Sequence, residues 1–256
     1  MLLIPLVLGS AAAGRLAPAL PAIWAAVLLG FFARYASVPA ATRILGGRSV
    51  PPAVLRRRIL WTALYMGTSL GCLVLAVAMV SPAARPVTIL AALVCGVLAA
   101  VHVGLSLAGV DRTLPGEIFG MVSLASPAPL LMVSAGRPLD GAAFGVAALA
   151  LSYSFSSLSF VRAYRARSSP ARGGGRGRAQ LLCILVHVLL AAGLAMLSWA
   201  GWLPASALPA FLPVAARTVW GLLTPPPNIR ALGLREVGVA IAFTLLASIS
   251  LLLHVH

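Results

Sequence analysis

The sequence predicts an all-α, polytopic membrane bundle of about nine transmembrane helices, and three observations predict it. First, 61% of the 256 residues are hydrophobic and 9% are charged, with a mean hydropathy of +1.04. A soluble domain carries roughly 25% charged residues, so this chain cannot cover a water-facing surface of its size. Second, the apolar runs are long, continuous and rich in Leu and Ala, without the alternating polarity of barrel strands. In hydrocarbon only helices and closed barrels pair every backbone N–H and C=O, which leaves helices. Third, the basic residues collect on alternate connections between the runs, the signature of a multi-pass topology.

The elements follow in order. The run 2–13 is short for a span, which needs about 20 residues. It has no basic segment before it and the next run follows almost at once, so it reads as a first helix truncated at its N-terminus rather than a signal peptide. Helix two is expected over 17–32. A polar connection over about 33–58 follows, with Arg34, Arg43, Arg48 and Arg56-Arg57-Arg58 among Pro39 and Pro51-Pro52. Helices three and four are expected over 59–80 and 87–110, helix five over 118–135 and helix six over 141–161. The second long polar connection, about 162–178, holds Arg162, Arg165, Arg167, Arg172, Arg176 and Arg178 around Gly173-Gly174-Gly175, a composition of flexible loops. Helices seven, eight and nine are expected over 179–200, 202–223 and 236–253, with Pro204, Pro209 and Pro213 bending the eighth. The whole chain, 1–256, reads as one membrane domain.

All 19 basic residues are Arg, and 16 of them fall on one set of alternate connections; Arg15, Arg85 and Arg137 fall on the other. The positive-inside rule then predicts a bacterial inner-membrane protein with its N-terminus cytoplasmic and its C-terminus outside. A pI near 11.8 in a soluble protein would point to nucleic acid. Here topology accounts for the charge, so the expected partners are the bilayer and its anionic lipid headgroups, with no nucleic acid. A weak internal echo, Phe32-Ala33-Arg34-Tyr35 against Phe160-Val161-Arg162-Ala163-Tyr164, raises a parallel four-helix repeat of helices two to five in six to nine.

Carboxylates are the scarcest groups: Asp111, Glu117, Asp140 and Glu236. A carboxylate near hydrocarbon is costly unless paired, which makes Glu117 and Glu236 site candidates. The competing reading places each in the first turn of its helix, favoured by the helix dipole and paired with Arg112 or Arg235. Arg217 lies inside an apolar run and must snorkel, pair or face a cavity. Ser152, Ser156 and Ser159 share a helix face and read first as close helix packing. The matches Gly67-x-x-x-Gly71, Gly116-x-x-x-Gly120 and Gly141-x-x-x-Gly145 carry little weight in a chain with 24 glycines. His102 and His187 read as core histidines, with axial haem ligation as the alternative. Cys72, Cys95 and Cys183 read as core side chains, and no metal or cofactor is expected.

Several of these segments together resemble the YwiC-like family of bacterial membrane proteins. They are Leu3-Ile4-Pro5-Leu6-Val7-Leu8-Gly9, Ala33-Arg34-Tyr35, Arg112 to Gly116-Glu117, Val161-Arg162, Pro213 to Arg217, and Leu232-Gly233-Leu234-Arg235-Glu236. That family typically begins with a His-Gly-aromatic motif just before the first helix; this sequence starts at Met1, after that point, so either the start is placed too late or the motif is absent, and no role is carried over from it. The resemblance adds weight to Glu117, Arg162, Arg217 and Glu236.

The expected function is therefore binding or transport of a small anionic or lipid-like ligand at the cytoplasmic half, at a site drawn from Glu117, Glu236, Arg217, Arg162, Arg34 and Arg112. The alternatives are a degenerate relative of the intramembrane prenyltransferases or an accessory membrane subunit of a respiratory complex. Enzymatic chemistry is disfavoured, since four scattered acids cannot build the aspartate clusters that hold Mg²⁺ on a diphosphate.

Overall fold

In the computed structural model every span is a helix. Residues 2–47, 49–168, 175–224 and 228–255 are described. Arg48, Ser169, Pro170, Arg172, Pro225-Pro226-Pro227 and His256 lie outside the described residues, as do Gly173 and Gly174 of the glycine-rich stretch. In chain order the helices are α1 (Leu3–Ala13), α2 (Ala19–Leu45), α3 (Pro52–Met79), α4 (Arg85–Leu107), α5 (Leu114–Ala125), α6 (Pro127–Ser134), α7 (Gly141–Ser168) and α8 (Gly175–Trp199). A 3₁₀ segment (Ala205–Phe211), α9 (Leu212–Leu223) and α10 (Ile229–Val255) complete the chain. Among the described residues eight helical segments are long and apolar enough to cross a membrane, taking α5 with α6 and the 3₁₀ segment with α9; Leu3–Ala13 is apolar but shorter. The protein is a multi-pass helical membrane protein.

Two compact units divide the chain: Arg15–Leu139, and Met1–Gly14 with Asp140–His256. The cut falls where the proposed repeat would begin again, with α2 to α6 in one unit and α7 to α10 in the other.

Helix extends into the segments read as polar loops. Helix α2 runs to Leu45 and α3 begins at Pro52; α7 runs to Ser168 and α8 begins at Gly175. The hydrocarbon thickness limits how long a helix must be apolar, not how long it stays helical. Arg and Ala are strong helix formers, so the helices project past the apolar window. Pro39 is accommodated inside α2. A proline there cannot donate to its preceding turn, and Arg58 donates to the Ala36 carbonyl in that turn at 3.2 Å.

Proline also sets the breaks within two spans. The expected helix five divides at Ser126, with Pro127 starting α6, a position where a missing N–H costs nothing. The expected bend in helix eight takes the form of a 3₁₀ segment containing Pro209, followed by α9 with Pro213 in its first turn. In the apolar windows of α3 and α4 only 6% is buried, against 56% of α7. Helices α3 and α4 therefore turn most of their apolar surface outward, and α7 forms core.

The GxxxG matches separate on geometry. A Cβ on Gly145 would stand 2.3 Å from the Trp202 backbone oxygen, and one on Gly120 would stand 2.7 Å from the His102 ring. Both glycines are required by close approach. Around Gly67 and Gly71 there is open space, so that match is incidental.

Candidate functional site

The unit of Met1–Gly14 and Asp140–His256 encloses a buried polar network built by four helices. From α9 comes Arg217, 6% exposed, a turn and a half before the helix ends. From α10 comes Glu236, two turns past the helix start at Ile229. Helix α7 supplies Tyr153, Ser156 and Ser157, and α8 supplies His187. On α8, α9 and α10 the neighbours of these polar residues are mostly Leu, Val and Ala, so the hydrophobic requirement of the span is met while polar groups are carried inward.

The geometry is close to saturated. Arg217 Nη1 donates to Glu236 Oε1 at 2.9 Å and to Oε2 at 2.7 Å. Ser157 donates to Glu236 Oε2 at 2.6 Å, and the Tyr153 hydroxyl donates to the Glu236 carbonyl at 3.1 Å. Arg217 Nη2 donates to Ser156 Oγ at 2.6 Å. His187 Nδ1 lies 2.7 Å from the Cys183 carbonyl, which can only accept, so that nitrogen carries the proton and Nε2 is an acceptor. Ser156 and Thr218 both stand 2.7 Å from Nε2. Thr218 also reaches the Val214 carbonyl at 3.0 Å, which leaves Ser156 to donate to the imidazole. The chain of contacts thus runs carboxylate, guanidinium, hydroxyl, imidazole, carbonyl.

Phe160 closes one side. The Arg217 guanidinium carbon lies 4.7 Å from the centre of its ring, a cation–π contact. The ring sits so close to Gly221 that a Cβ there would come within 2.3 Å of it. One donor is left over: Arg217 Nε is buried and has no partner. The arrangement is a neutral ion pair in an apolar setting, with one guanidinium N–H unspent. Both ring nitrogens of His187 are engaged by protein groups, which disfavours axial ligation. Among the described residues no group of three His, Cys, Asp or Glu could hold a metal ion.

The sequence candidates are placed as follows. Arg217 and Glu236 come together. The competing reading pairs Glu236 with Arg235, and here it is corrected: Arg235 lies over the Trp220 ring at 5.4 Å and donates to the Thr224 carbonyl at 3.4 Å. The first-turn reading of Glu236 is also corrected, because α10 begins at Ile229 and has no acidic residue in its first turn. Arg162 is exposed on α7.

Glu117, Arg112 and Arg34 belong to the other unit. Glu117 does stand in the first turn of α5, behind a Thr113 cap that accepts from the Gly116 N–H at 3.4 Å. There the helix-dipole reading holds. Arg112 is exposed just before that cap. Arg34 Nη2 donates to Ser106 Oγ at 2.9 Å, and Ser106 donates to the His102 carbonyl at 3.0 Å. Arg34 Nε and His102 Nδ1 are buried without partners.

Ser156 and His187 stand out in the sequence, but nothing there joins them to Arg217 or singles out Tyr153, Ser157 and Thr218. The available signal was the cluster Ser152-Tyr153-Ser154-Phe155-Ser156-Ser157 in an apolar span. So dense a hydroxyl run needs acceptors and donors from neighbouring helices.

The family model of YwiC-like proteins matches residues 1–132. No curated protein and no solved structure matches the chain. The match covers α1 to α5 and most of α6, and the network residues lie beyond it. A model matching more than half of the chain settles its membership: the protein belongs to the YwiC-like family.

Proposed function

We propose that the protein binds or transports a small anionic or lipid-like ligand, and that Arg217 is its anchor. In this reading Glu236 is the internal counter-ion that holds the guanidinium when no ligand is present. An incoming anionic group competes with that carboxylate, and Arg217 Nε offers the first donor. The observation that carries the reading is a span-embedded Arg, 6% exposed, whose charge is met by Glu236 while Nε stays unpaired. Isolated charges in hydrocarbon are expensive, and their retention inside a span is a functional sign. The pair stands one to two turns from the 224–228 connection, on the arginine-rich side, and the same reading puts that side in the cytoplasm with the C-terminus outside.

The test is thermal unfolding in non-ionic detergent with dodecyl phosphate and inorganic phosphate as probes. Glu236→Gln removes the competitor and is expected to bind the probe about tenfold tighter or better. Arg217→Gln is expected to lose the response. Equal probe responses in wild type and both variants would remove Arg217 from any ligand site.

A further inference from the structure

The first 110 residues contain no carboxylate, yet they hold Arg34, Arg43, Arg48, Arg56, Arg57 and Arg58 around the α2–α3 connection. Between the end of α2 and the start of α3 lies a groove of about 550 Å³, lined chiefly by Phe32, Tyr35, Arg57, Arg58, Trp61 and Tyr65. Arg57, Trp61 and Tyr65 stand at i, i+4 and i+8, one stripe along α3. Trp61 and Tyr65 are stacked, with ring centres 5.4 Å apart, and Phe32 packs against Tyr65 at 5.9 Å. Arg58 donates to the Ala36 carbonyl at 3.2 Å, a bond between α3 and α2 made by two residues that line the groove. Trp61 remains 39% exposed and Tyr35 61%, so the aromatic walls are open to an occupant.

We infer that this groove holds one anionic phospholipid. Its phosphate lies against the Arg57 and Arg58 guanidiniums, and the glycerol and first methylenes run along Trp61 and Tyr65. The sequence order along α3, guanidinium first and aromatic rings one and two turns deeper, matches the order of polar headgroup and acyl chain in a leaflet. Aromatic rings prefer that boundary depth, and basic clusters at a helix end attract anionic lipid. A free phosphate ion would gain nothing from the rings, and a zwitterionic lipid would bring its own cation to the guanidiniums. The site is separate from Arg217 and does not depend on the role proposed for it.

Native mass spectrometry of the purified full chain, titrated with phosphatidylglycerol or phosphatidylcholine, tests the inference. Wild type is expected to retain one phosphatidylglycerol and to discriminate against phosphatidylcholine. The Arg57→Gln/Arg58→Gln pair should weaken retention about thirty-fold. Arg57→Gln alone leaves the Arg58 anchor intact and should weaken it about fivefold, which carries the test if the double variant fails to fold. Arg137→Gln, an exposed arginine of the same unit, should leave retention unchanged. Equal retention in Arg57→Gln and wild type, equal loss in Arg137→Gln, no preference over phosphatidylcholine, or displacement by millimolar inorganic phosphate would each overturn the assignment.

Discussion

The two units handle the same raw material differently. Each buries or half-buries an Arg, a Ser and a His on its spanning helices. In the unit of α7 to α10 a glutamate sits two turns inside a span, and Arg217 meets it with both carboxylate oxygens within 2.9 Å. In the unit of α2 to α6 the glutamate stands at a capped helix start, and Arg34 Nη2 donates to Ser106 while Arg34 Nε stays buried and unpaired. What separates them is the depth of the carboxylate. A first-turn acid is stabilised by its own helix, by roughly 0.3–1 kcal/mol. An acid deep in a span must be matched by a partner from another helix, and that need draws four helices onto one point.

The largest expected effect follows from breaking that match. Glu236→Gln or Arg217→Gln alone leaves a buried partner uncompensated and should destabilise the protein by about 3–5 kcal/mol in denaturant titrations in detergent. A loss below about 1 kcal/mol would mean that water already reaches the pair.

How much of this was legible in the sequence depends on the kind of force involved. The helical membrane class was plain, because a 9% charged chain has no other solvent to live in. Arg217 and Glu236 were each visible as charges out of place. Their pairing was not, since it depends on how α9 and α10 pack, and Arg230 and Arg235 made the α10 start look seven residues later than it is. The helical extensions through Arg34 and Arg165 were hidden for a related reason. Apolar windows report the thickness of the bilayer, and a helix that leaves the bilayer keeps its hydrogen bonds without needing apolar residues. The glycine motifs could not be ranked, because Gly67 and Gly145 look alike until their neighbours are known.

That last contrast gives the next effect. Gly145→Ala would drive a Cβ into the Trp202 backbone oxygen, which cannot rotate away, and should cost about 2–3 kcal/mol by the same titration. Gly67→Ala meets nothing within 4 Å, and its effect should be neutral to slightly stabilising, through helix propensity. Between them lies Arg34→Gln, expected to cost about 1–2 kcal/mol through its bond to the Ser106 hydroxyl. If Arg34→Gln proved as damaging as Arg217→Gln, the distinction between an arginine bonded to both oxygens of a buried carboxylate and one bonded to Ser106 would fail.

The most direct test of the account is a double-mutant cycle on Arg217 and Glu236, read by unfolding free energy in one detergent. With both residues replaced by Gln no charge is left stranded. The double variant should therefore lose no more than either single variant, a coupling of at least about 3 kcal/mol. Losses that simply add would contradict the claim that these two groups form one buried pair.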